Sequence, residues 1–343
     1  MPELTKYTKE LNSLVGQAKN IVLICHINPD GDAIGSQLAF YYYLKSIGRE
    51  AEMISPNYLQ EFLKWMDGSE RITIFIRERE KSIRMIREAD LIILLDFNQP
   101  GRLGEAMDHV VESKARKVII DHHLNPADFA DLLISDPSKC STAELVHELI
   151  KEINGTDIIS KAYAEALYVG IITDTGNFEH GNFTGNTYRT VADLIDAGID
   201  KVKIYNKIYN NFSVDRMRLQ GLALNGRMVI LPELKSAYIY LSKKDLKDYN
   251  NVKGDTEGFV NMPLSIKDIV FSTLFIEKDG FVKLSFRSKG TFPVNEFAAR
   301  WFSGGGHLNA SGGEFSGTLD EAIAHFLRVL EENRLMLNEA GPQ

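Results

Sequence analysis

The chain has 343 residues, of which 44% are hydrophobic and 25% charged, and its formal net charge at pH 7 is -8. This composition is typical of a globular protein of two domains, and the negative charge argues against broad electrostatic binding to duplex DNA. The two cysteines, Cys25 and Cys140, indicate no disulfide framework and favour a cytoplasmic location. The sequence has no run of signal-peptide or membrane-spanning character, so we expect no membrane association.

Residues 21–195 alternate short apolar runs with amphipathic stretches. This pattern predicts helices packed around a mostly parallel β-sheet. The first strand is predicted at Ile21–Cys25, followed by a helix over residues 33–47 that Gly48 ends, and then by a strand over residues 51–54. We therefore expect an α/β domain in this part of the chain.

Acidic and histidine side chains follow four apolar runs, which we interpret as strands. They are His26, Asp30 and Asp32 after residues 21–25, Asp96 after residues 91–95, Asp121, His122 and His123 after residues 118–120, and Asp174 after residues 169–173. Because the carboxyl ends of parallel strands converge on one crevice, these side chains are expected to meet. Mixed carboxylate and imidazole donors suit Mn²⁺ or a similar ion, and a pair of ions needs a carboxylate between them, for which Asp96 is the natural choice.

Two patterns also have a purely structural interpretation. The segment 28–32 is good turn chemistry, and an Asp there can cap the helix that follows; the recurrence of acids and histidines after three further runs favours metal binding. The glycines at 304–306 could form an ordinary loop. With His307 beside them, we favour an anion-binding nest of backbone N–H groups, to which Arg287 adds a charged contact.

The second half of the chain changes in pattern. Helices are predicted over residues 186–197 and 202–211, and a third helix over residues 214–225 is interpreted as the linker. Strands are then predicted over residues 228–231, 237–241, 268–277 and 281–287, with a hairpin turn at 278–280 and a last helix that a capping box of Thr318 and Glu321 opens. We expect an N-terminal domain at 1–212, a helical linker at 213–226 and a smaller, mixed α+β domain at 227–343.

These motifs resemble those of a known protein family. His26-x-x-x-Asp30-Gly-Asp32, Asp96, Asp121-His122-His123 and Asp174 resemble the four ordered motifs of the DHH phosphoesterase superfamily. Arg287-Ser288 and Gly304-Gly305-Gly306-His307, followed by Gly312-Gly313, resemble the DHH-associated C-terminal domain. The short two-domain layout is similar to bacterial nano-RNases that also dephosphorylate 3′-phosphoadenosine 5′-phosphate. RecJ-type exonucleases and family II pyrophosphatases are weaker fits.

The resemblance implies roles for these residues. One divalent ion would be bound by His26, Asp30 and Asp96, and a second by Asp32, Asp96, His122 and Asp174, most often as Mn²⁺, with Mg²⁺ or Co²⁺ as alternatives. His123 would lie near the leaving group, with Asp121 orienting an imidazole. Substrate would be bound by Arg287, Ser288, Gly304, Gly305, Gly306 and His307. Arg102 is either a substrate contact or part of a surface ion pair.

The implied activity is hydrolysis of short single-stranded oligoribonucleotides to nucleoside monophosphates, together with removal of the 3′-phosphate from 3′-phosphoadenosine 5′-phosphate, in a cleft between the domains. One alternative is a cyclic or linear dinucleotide phosphodiesterase. An alternative of another class is a nucleotide-binding regulatory module with a vestigial site, which would have lost ligands. We expect no duplex DNA and no membrane among the partners, and a homodimer is compatible with the sequence.

Overall fold

The computed structural model describes residues 2–155, 159–179 and 181–340, except for the side chains of residues 2–5 and 307. The chain divides into two compact units, residues 1–211 and 212–343. A helix is present at Val214–Gly226, where the linker was predicted. Its buried residues Leu219 and Ala223 pack with Ile239 of the second unit. The domain boundaries and the linker role stay predictions.

The first unit contains a six-stranded, all-parallel sheet in the order β3-β2-β1-β4-β5-β6. Its strands are β1 (Ile21–Cys25), β2 (Ala51–Ser55), β3 (Thr73–Ile74), β4 (Leu91–Leu95), β5 (Arg116–Asp121) and β6 (Leu132–Ser135). Alternate residues of β1 enter two cores, since Leu23 packs in one and Ile24 in the other. Burial on both faces explains why β1 and β4 are apolar throughout. The carboxyl ends of β1, β4 and β5 lie side by side, and the α/β prediction is confirmed.

Helices cover this sheet. They are α1 (Pro2–Gln17), α2 (Gly31–Ser46), α3 (Arg79–Glu88), α4 (Met107–Val111), α5 (Thr142–Asn154), α6 (Lys161–Asp174), α7 (Gly185–Asp196) and α8 (Lys201–Tyr209). Small residues allow α2, α5 and α6 to pack closely. A Cβ on Gly35 of α2 would lie 2.4 Å from the carbonyl oxygen of Ala166 on α6, and one on Gly170 of α6 would lie 2.5 Å from the Cβ of Ala143 on α5.

The interpretation of residues 169–173 as a strand is wrong. They form the last turns of α6, which begins after the N-cap Ser160 and ends at Asp174. Nearly every residue of this helix from Tyr163 to Ile172 is buried. A helix buried on all sides has no polar face, so its sequence is a continuous apolar run that periodicity cannot distinguish from a buried strand. Asp174 therefore reaches the site from a helix end.

The second unit contains a six-stranded mixed sheet in the order β11-β12-β10-β9-β8-β7. Its strands are β7 (Met228–Leu231), β8 (Ser236–Leu241), β9 (Phe271–Glu277), β10 (Phe281–Ser288), β11 (Gly305–His307) and β12 (Ala310–Ser316). Its helices are α9 (Val214–Gly226), α10 (Lys243–Asp248), α11 (Val294–Trp301), α12 (Leu319–Glu332) and α13 (Arg334–Glu339). The β8–β9 pair is parallel and the other pairs are antiparallel.

Local signals in this unit are confirmed. The predicted hairpin joins β9 to β10, with Gly280 at a φ of 81°. The capping box is present at the start of α12, where Thr318 and Glu321 exchange side-chain and backbone hydrogen bonds.

Cys25 and Cys140, both in the first unit, are free and buried. Within the described parts of the chain, none of the helices combines the length and apolarity that crossing a membrane requires.

We predict that Gly35→Ala lowers the free energy of unfolding by about 1–3 kcal/mol or more, the cost of overpacking a well-filled core. The added methyl group meets backbone of α6, which cannot move aside as a side chain could. Gly16→Ala is the matched control, since a Cβ there has nothing within 4 Å and a helical Gly→Ala change often adds up to about 1 kcal/mol. Urea unfolding followed by circular dichroism measures both, and equal stabilities would contradict the close packing.

Candidate metal centre

His26 follows β1 directly and is 2% exposed. Its Nδ1 lies 2.8 Å from the carbonyl oxygen of Ile27, a contact that requires Nδ1 to carry the hydrogen. Nε2 then presents its lone pair, and it is buried with no hydrogen-bond partner. It lies 3.3 Å from Oδ2 of Asp96 and 3.7 Å from Oδ2 of Asp30. An imidazole fixed through one nitrogen, with the other directed at carboxylates, is the arrangement of a metal-binding histidine.

Asp30 and Asp32 are each held by the start of a helix. Asp30 is the N-cap of α2, and its Oδ1 accepts the N–H groups of Asp32 and Ala33 at 3.1 and 3.0 Å. Asp32 is 1% exposed. It accepts hydrogen bonds from the first residues of α5: its Oδ2 from Thr142 N at 2.6 Å and its Oδ1 from Ala143 N at 2.8 Å. Both carboxylates therefore lie where helix amides stabilise negative charge.

Asp96 lies between the other side chains of the cluster. It follows β4 with a φ of 68°, a left-handed conformation that Asp tolerates better than most residues. Its Oδ2 faces His26, while its Oδ1 lies 3.8 Å from Nε2 of His122. The same Oδ1 accepts a hydrogen bond from the Thr142 hydroxyl at 2.8 Å. One buried carboxylate thus has one oxygen toward each group of neighbours, as a bridging ligand requires.

The adjacent histidines after β5 have different partners. Asp121 is fully buried and binds His123 twice, through the His123 backbone N–H at 2.9 Å and Nδ1 at 2.7 Å. Nδ1 of His122 lies 3.2 Å from the carbonyl oxygen of Lys139, and its Nε2 lies 3.4 Å from Oδ2 of Asp174. Asp121 therefore orients His123, and His122 presents Nε2 to the carboxylates of the cluster.

These side chains form three overlapping groups whose ligand atoms lie within 4.8 Å of one another. The groups are His26, Asp30 and Asp96; Asp32, His122 and Asp174; and Asp96, His122 and His123. Carboxylate oxygens and imidazole nitrogens are the donors that Mn²⁺ and similar ions accept. The buried Nε2 of His26 has no hydrogen-bond partner among the described residues. The cluster can therefore hold a metal ion.

The electrostatics of the cluster also favour a cation. Burial raises the pKa of Asp32 well above its usual range, and repulsion from Asp96 and Asp174 adds to this. Burial raises the pKa of Asp174 to about 7, opposed by His122 and reinforced by Asp96. Burial disfavours protonated His26, yet attraction to the neighbouring carboxylates of Asp30 and Asp96 raises its pKa to about 10. Buried carboxylates at such short range repel one another until protons or a cation neutralise them.

The predicted substrate residues of the second unit lie on β10 and β11. Arg287, near the end of β10, is half-buried and donates from Nη1 to the carbonyl oxygen of Phe286. Within the described residues no carboxylate forms an ion pair with it. Ser288 is buried, donates to the carbonyl oxygen of Phe292 at 2.7 Å and accepts from Asn309 at 2.8 Å. Its hydroxyl thus serves the local turn.

Most of the glycine run forms a strand of a hairpin and not an ordinary loop, and its role as an anion-binding nest stays a prediction. Gly305, Gly306 and His307 pair with Gly312, Ser311 and Ala310 of β12. Close packing explains part of the glycine content, because a Cβ on Gly304 would lie 2.0 Å from the Gly312 carbonyl oxygen. Gly306 has a φ of 149°. The side chain of His307 lies outside the described part of the structure. As the edge strand, β11 has a strand neighbour on one side only.

Arg102 lies in a 3-10 helix at Pro100–Ala106 of the first unit, and its side chain is exposed. It pairs with no acidic side chain among the described residues, so the surface ion pair is not observed. Its positive charge lowers the pKa of His123, whereas the hydrogen bond to Asp121 raises it more. Arg102 is therefore close enough to act electrostatically on the cluster.

Sequence reasoning missed Thr142. The Ser141-Thr142-Ala143-Glu144 segment resembles an ordinary capping box, and Ser141 does cap α5 by accepting the N–H of Glu144 at 3.0 Å. The neighbouring Thr142 contacts two carboxylates of the cluster. No signal within the segment points to this, because the contacts arise only when α5 packs beside α2.

Comparison with known proteins agrees with this geometry. The model of the DHH family N-terminal domain matches residues 20–171, and the DHHA1 domain model matches residues 235–333. The chain is similar to a crystal structure of an exopolyphosphatase-related protein from Bacteroides fragilis, with 44% identity, a TM-score of 0.94 and coverage of 97% of this chain and 98% of the other. The chain therefore belongs to the DHH family. It is a phosphoesterase, a class of hydrolase.

Two curated relatives extend over most of the chain. Bifunctional oligoribonuclease and PAP phosphatase NrnA from Thermus thermophilus is 29% identical over 94% of this chain and 91% of its own. The protein of the same name from Bacillus subtilis is 29% identical over 88% of this chain and 91% of its own. The resemblance stated from the sequence motifs is confirmed.

We predict that Asp174→Asn stabilises the metal-free protein at pH 8 and not at pH 4. The pKa of Asp174 is raised from its ordinary value to about 7 in the folded state. The folded protein therefore retains a proton that the unfolded chain loses near pH 4. The resulting cost is absent below that pH, grows as the pH rises and is complete above pH 7. We expect a gain of about 1–3 kcal/mol at pH 8, after allowance for solvent screening.

Urea unfolding in the presence of a chelator, at several pH values, measures this effect. Asp193→Asn is the matched control, because it removes only an exposed pair with Lys151. Its effect should stay within about 0.5 kcal/mol at every pH. A difference between wild type and Asp174→Asn that does not change with pH would contradict the role assigned to charge crowding.

Proposed function

We propose that this chain is a metal-dependent hydrolase that cleaves short single-stranded oligoribonucleotides to nucleoside monophosphates and removes the 3′-phosphate from 3′-phosphoadenosine 5′-phosphate. The observation that carries the proposal is the convergence of carboxylates and imidazoles around Asp96. The names of the two curated relatives supply the substrate class. The proposal includes two divalent ions, Mn²⁺ first and Mg²⁺ or Co²⁺ as alternatives.

The ligand sets follow the groups around Asp96. We assign His26, Asp30 and Asp96 to the first ion, and Asp32, Asp96, His122 and Asp174 to the second. Such a pair of ions activates a water molecule and stabilises the charge that develops on phosphate oxygens. The chain supplies a fixed and buried donor set, in which helix amides and backbone carbonyls orient most of the ligands.

His123 is the proposed general acid. Its Nδ1 is hydrogen-bonded to the buried Asp121, and since the two ring nitrogens lie on opposite sides of the imidazole, Nε2 is directed away from Asp121. Burial opposes protonation of His123, but Asp121 and Asp96 raise its pKa. A protonated ring can donate from Nε2 to the leaving oxygen of the substrate as negative charge develops there. Arg102, exposed nearby, is the proposed contact for a substrate phosphate.

The second unit supplies the proposed phosphate-binding surface. Arg287 offers a half-buried guanidinium without an acidic partner among the described residues, and such a group binds phosphate through charge-assisted hydrogen bonds. The edge position of β11 lets a ligand approach the backbone of Gly305, Gly306 and His307. Ser288 would act indirectly, through its turn. The net charge of -8 favours short substrates, because the chain has no overall excess of basic groups to hold distant phosphates.

Further parts of the proposal concern location and partners. Free, buried cysteines agree with a cytoplasmic location. We expect no stable binding to duplex DNA, since the chain carries 47 acidic against 39 basic residues. We also expect that the chain can form a homodimer.

The proposal predicts hydrolysis of RNA dinucleotides to pentanucleotides and of 3′-phosphoadenosine 5′-phosphate in the presence of Mn²⁺, and none with excess chelator. Long RNA should be a poor substrate, because binding energy saturates after a few nucleotides. Cyclic dinucleotides and inorganic polyphosphate belong in the same panel, the latter because a relative is described as exopolyphosphatase-related. Rates that rise continuously with RNA length would contradict the proposed preference for short RNA. Faster hydrolysis of cyclic dinucleotides or of polyphosphate would identify that compound as the substrate instead.

The same panel tests Arg287. Arg287→Ala should raise KM for short RNA by a factor on the order of 10–100, the loss of about 1.5–3 kcal/mol for one charged hydrogen bond. Its metal content should not change. Lys283→Ala is the matched control, since Lys283 is exposed, carries the same charge and lies four residues earlier on β10. If both variants show the same modest change, general electrostatics and not a specific contact explains the effect.

The adjacent histidines should give opposite phenotypes. His123→Ala is expected to keep its metal and to lose turnover by roughly 10²- to 10⁴-fold, the range for a general acid or base. His122→Ala should lose metal, because its Nε2 faces Asp174 and Asp96. Metal analysis and kcat of the two purified variants distinguish these outcomes. Metal loss confined to His123→Ala would show that the two roles are reversed.

A further inference from the structure

The first residue of α5 contacts two carboxylates that come from different elements of the fold. Thr142 is fully buried. Its backbone N–H donates to Oδ2 of Asp32 at 2.6 Å, and its hydroxyl donates to Oδ1 of Asp96 at 2.8 Å. Asp32 lies in the first turn of α2 and Asp96 directly follows β4, so Thr142 links a helix start to a strand end. The next residue, Ala143, donates to the other oxygen of Asp32.

We propose that Thr142 is a positioning residue that selectively builds the ion site on the His122 side of Asp96. This inference rests on the proposed function, because it assumes that the cluster binds two ions. In this inference the Thr142 hydroxyl orients the shared carboxylate of Asp96 toward the second ion. The inference goes beyond the ligand set, since Thr142 is not among the residues assigned to either ion.

The two sides of the cluster are supported by different parts of the chain. On the first side, His26 is fixed by the carbonyl oxygen of Ile27, and Asp30 is fixed by amides of its own helix α2. Neither contact involves α5. Only Oδ2 of Asp96 belongs to this side, where it faces His26.

The second side depends on the segment 139–143. The carbonyl oxygen of Lys139 fixes His122, and the amides of Thr142 and Ala143 fix both oxygens of Asp32. The Thr142 hydroxyl fixes Oδ1 of Asp96, the oxygen that faces His122. Loss of that hydroxyl removes the direct restraint on the oxygen that faces this side, while the first side keeps its own restraints on His26 and Asp30. Partners that orient a metal ligand typically change metal affinity by about 10- to 100-fold.

Thr142→Val tests the inference with little change in shape. The isosteric side chain keeps the backbone N–H on Asp32 and removes only the hydroxyl, while Thr142→Ser keeps the hydroxyl. Ser141→Ala is the matched control, because Ser141 caps the same helix through the N–H of Glu144 and has no hydrogen bond to the carboxylates of the cluster. Thr142→Ala provides a second variant without a hydroxyl should valine prevent folding. Titration calorimetry with Mn²⁺ on the full chain measures the affinity of each of the two proposed ion sites.

We expect two Mn²⁺ ions in the wild type. In Thr142→Val one ion should bind within about 3-fold of wild type and the other about 10- to 100-fold more weakly. Thr142→Ser should recover the second affinity, and Ser141→Ala should lower thermal stability but leave both affinities unchanged. The inference is overturned if Thr142→Val binds both ions as wild type does, if both affinities fall equally, or if Ser141→Ala has the same effect. Wild type that binds no Mn²⁺ would overturn the proposed function itself.

Discussion

Repulsion among buried carboxylates is the constraint on which the first unit depends. Asp32 and Asp96 are 1% and 2% exposed, and both lie within a cluster that also contains Asp30 and Asp174. Uncompensated buried charges of one sign are costly. The chain offsets part of this cost with the amides at the starts of α2 and α5 and with three imidazoles. Protons or a cation must compensate the remaining charge, so the folded site favours cation binding.

The packing of α2, α5 and α6 follows from the same requirement. The amide of Thr142 can reach Asp32 only if α5 lies against α2, and Asp174 can reach His122 only if α6 ends beside them. At Gly31, Gly35 and Gly170 a Cβ would lie 2.3 to 2.5 Å from atoms of a neighbouring helix. These glycines lower the intrinsic stability of the helices. The close approach they permit places the carboxylates within ligand distance.

The sequence predicted the parts that local patterns determine. The bounds of β1 and β4 agree with the prediction, and so do the hairpin after β9 and the capping box before α12. The convergence of Asp96 with His26 followed from the rule for parallel strands. The strand before Asp174 was wrong because a helix buried on all sides loses its periodic signal. The contacts of Thr142 could not be predicted from the sequence, because their partners Asp32 and Asp96 lie 110 and 46 residues away along the chain.

In the proposed function, the first unit would supply the chemistry and the second unit the substrate choice. In the first unit, hydrogen bonds to other residues of the site region hold Asp32, Asp96 and His123, which leaves little room for variation at these positions. In the second unit, Ser288 and Gly306 serve the structure of the hairpin, and Arg287 is the charged group that we propose binds a phosphate. Recognition that rests on so few groups can change while the catalytic cluster stays the same.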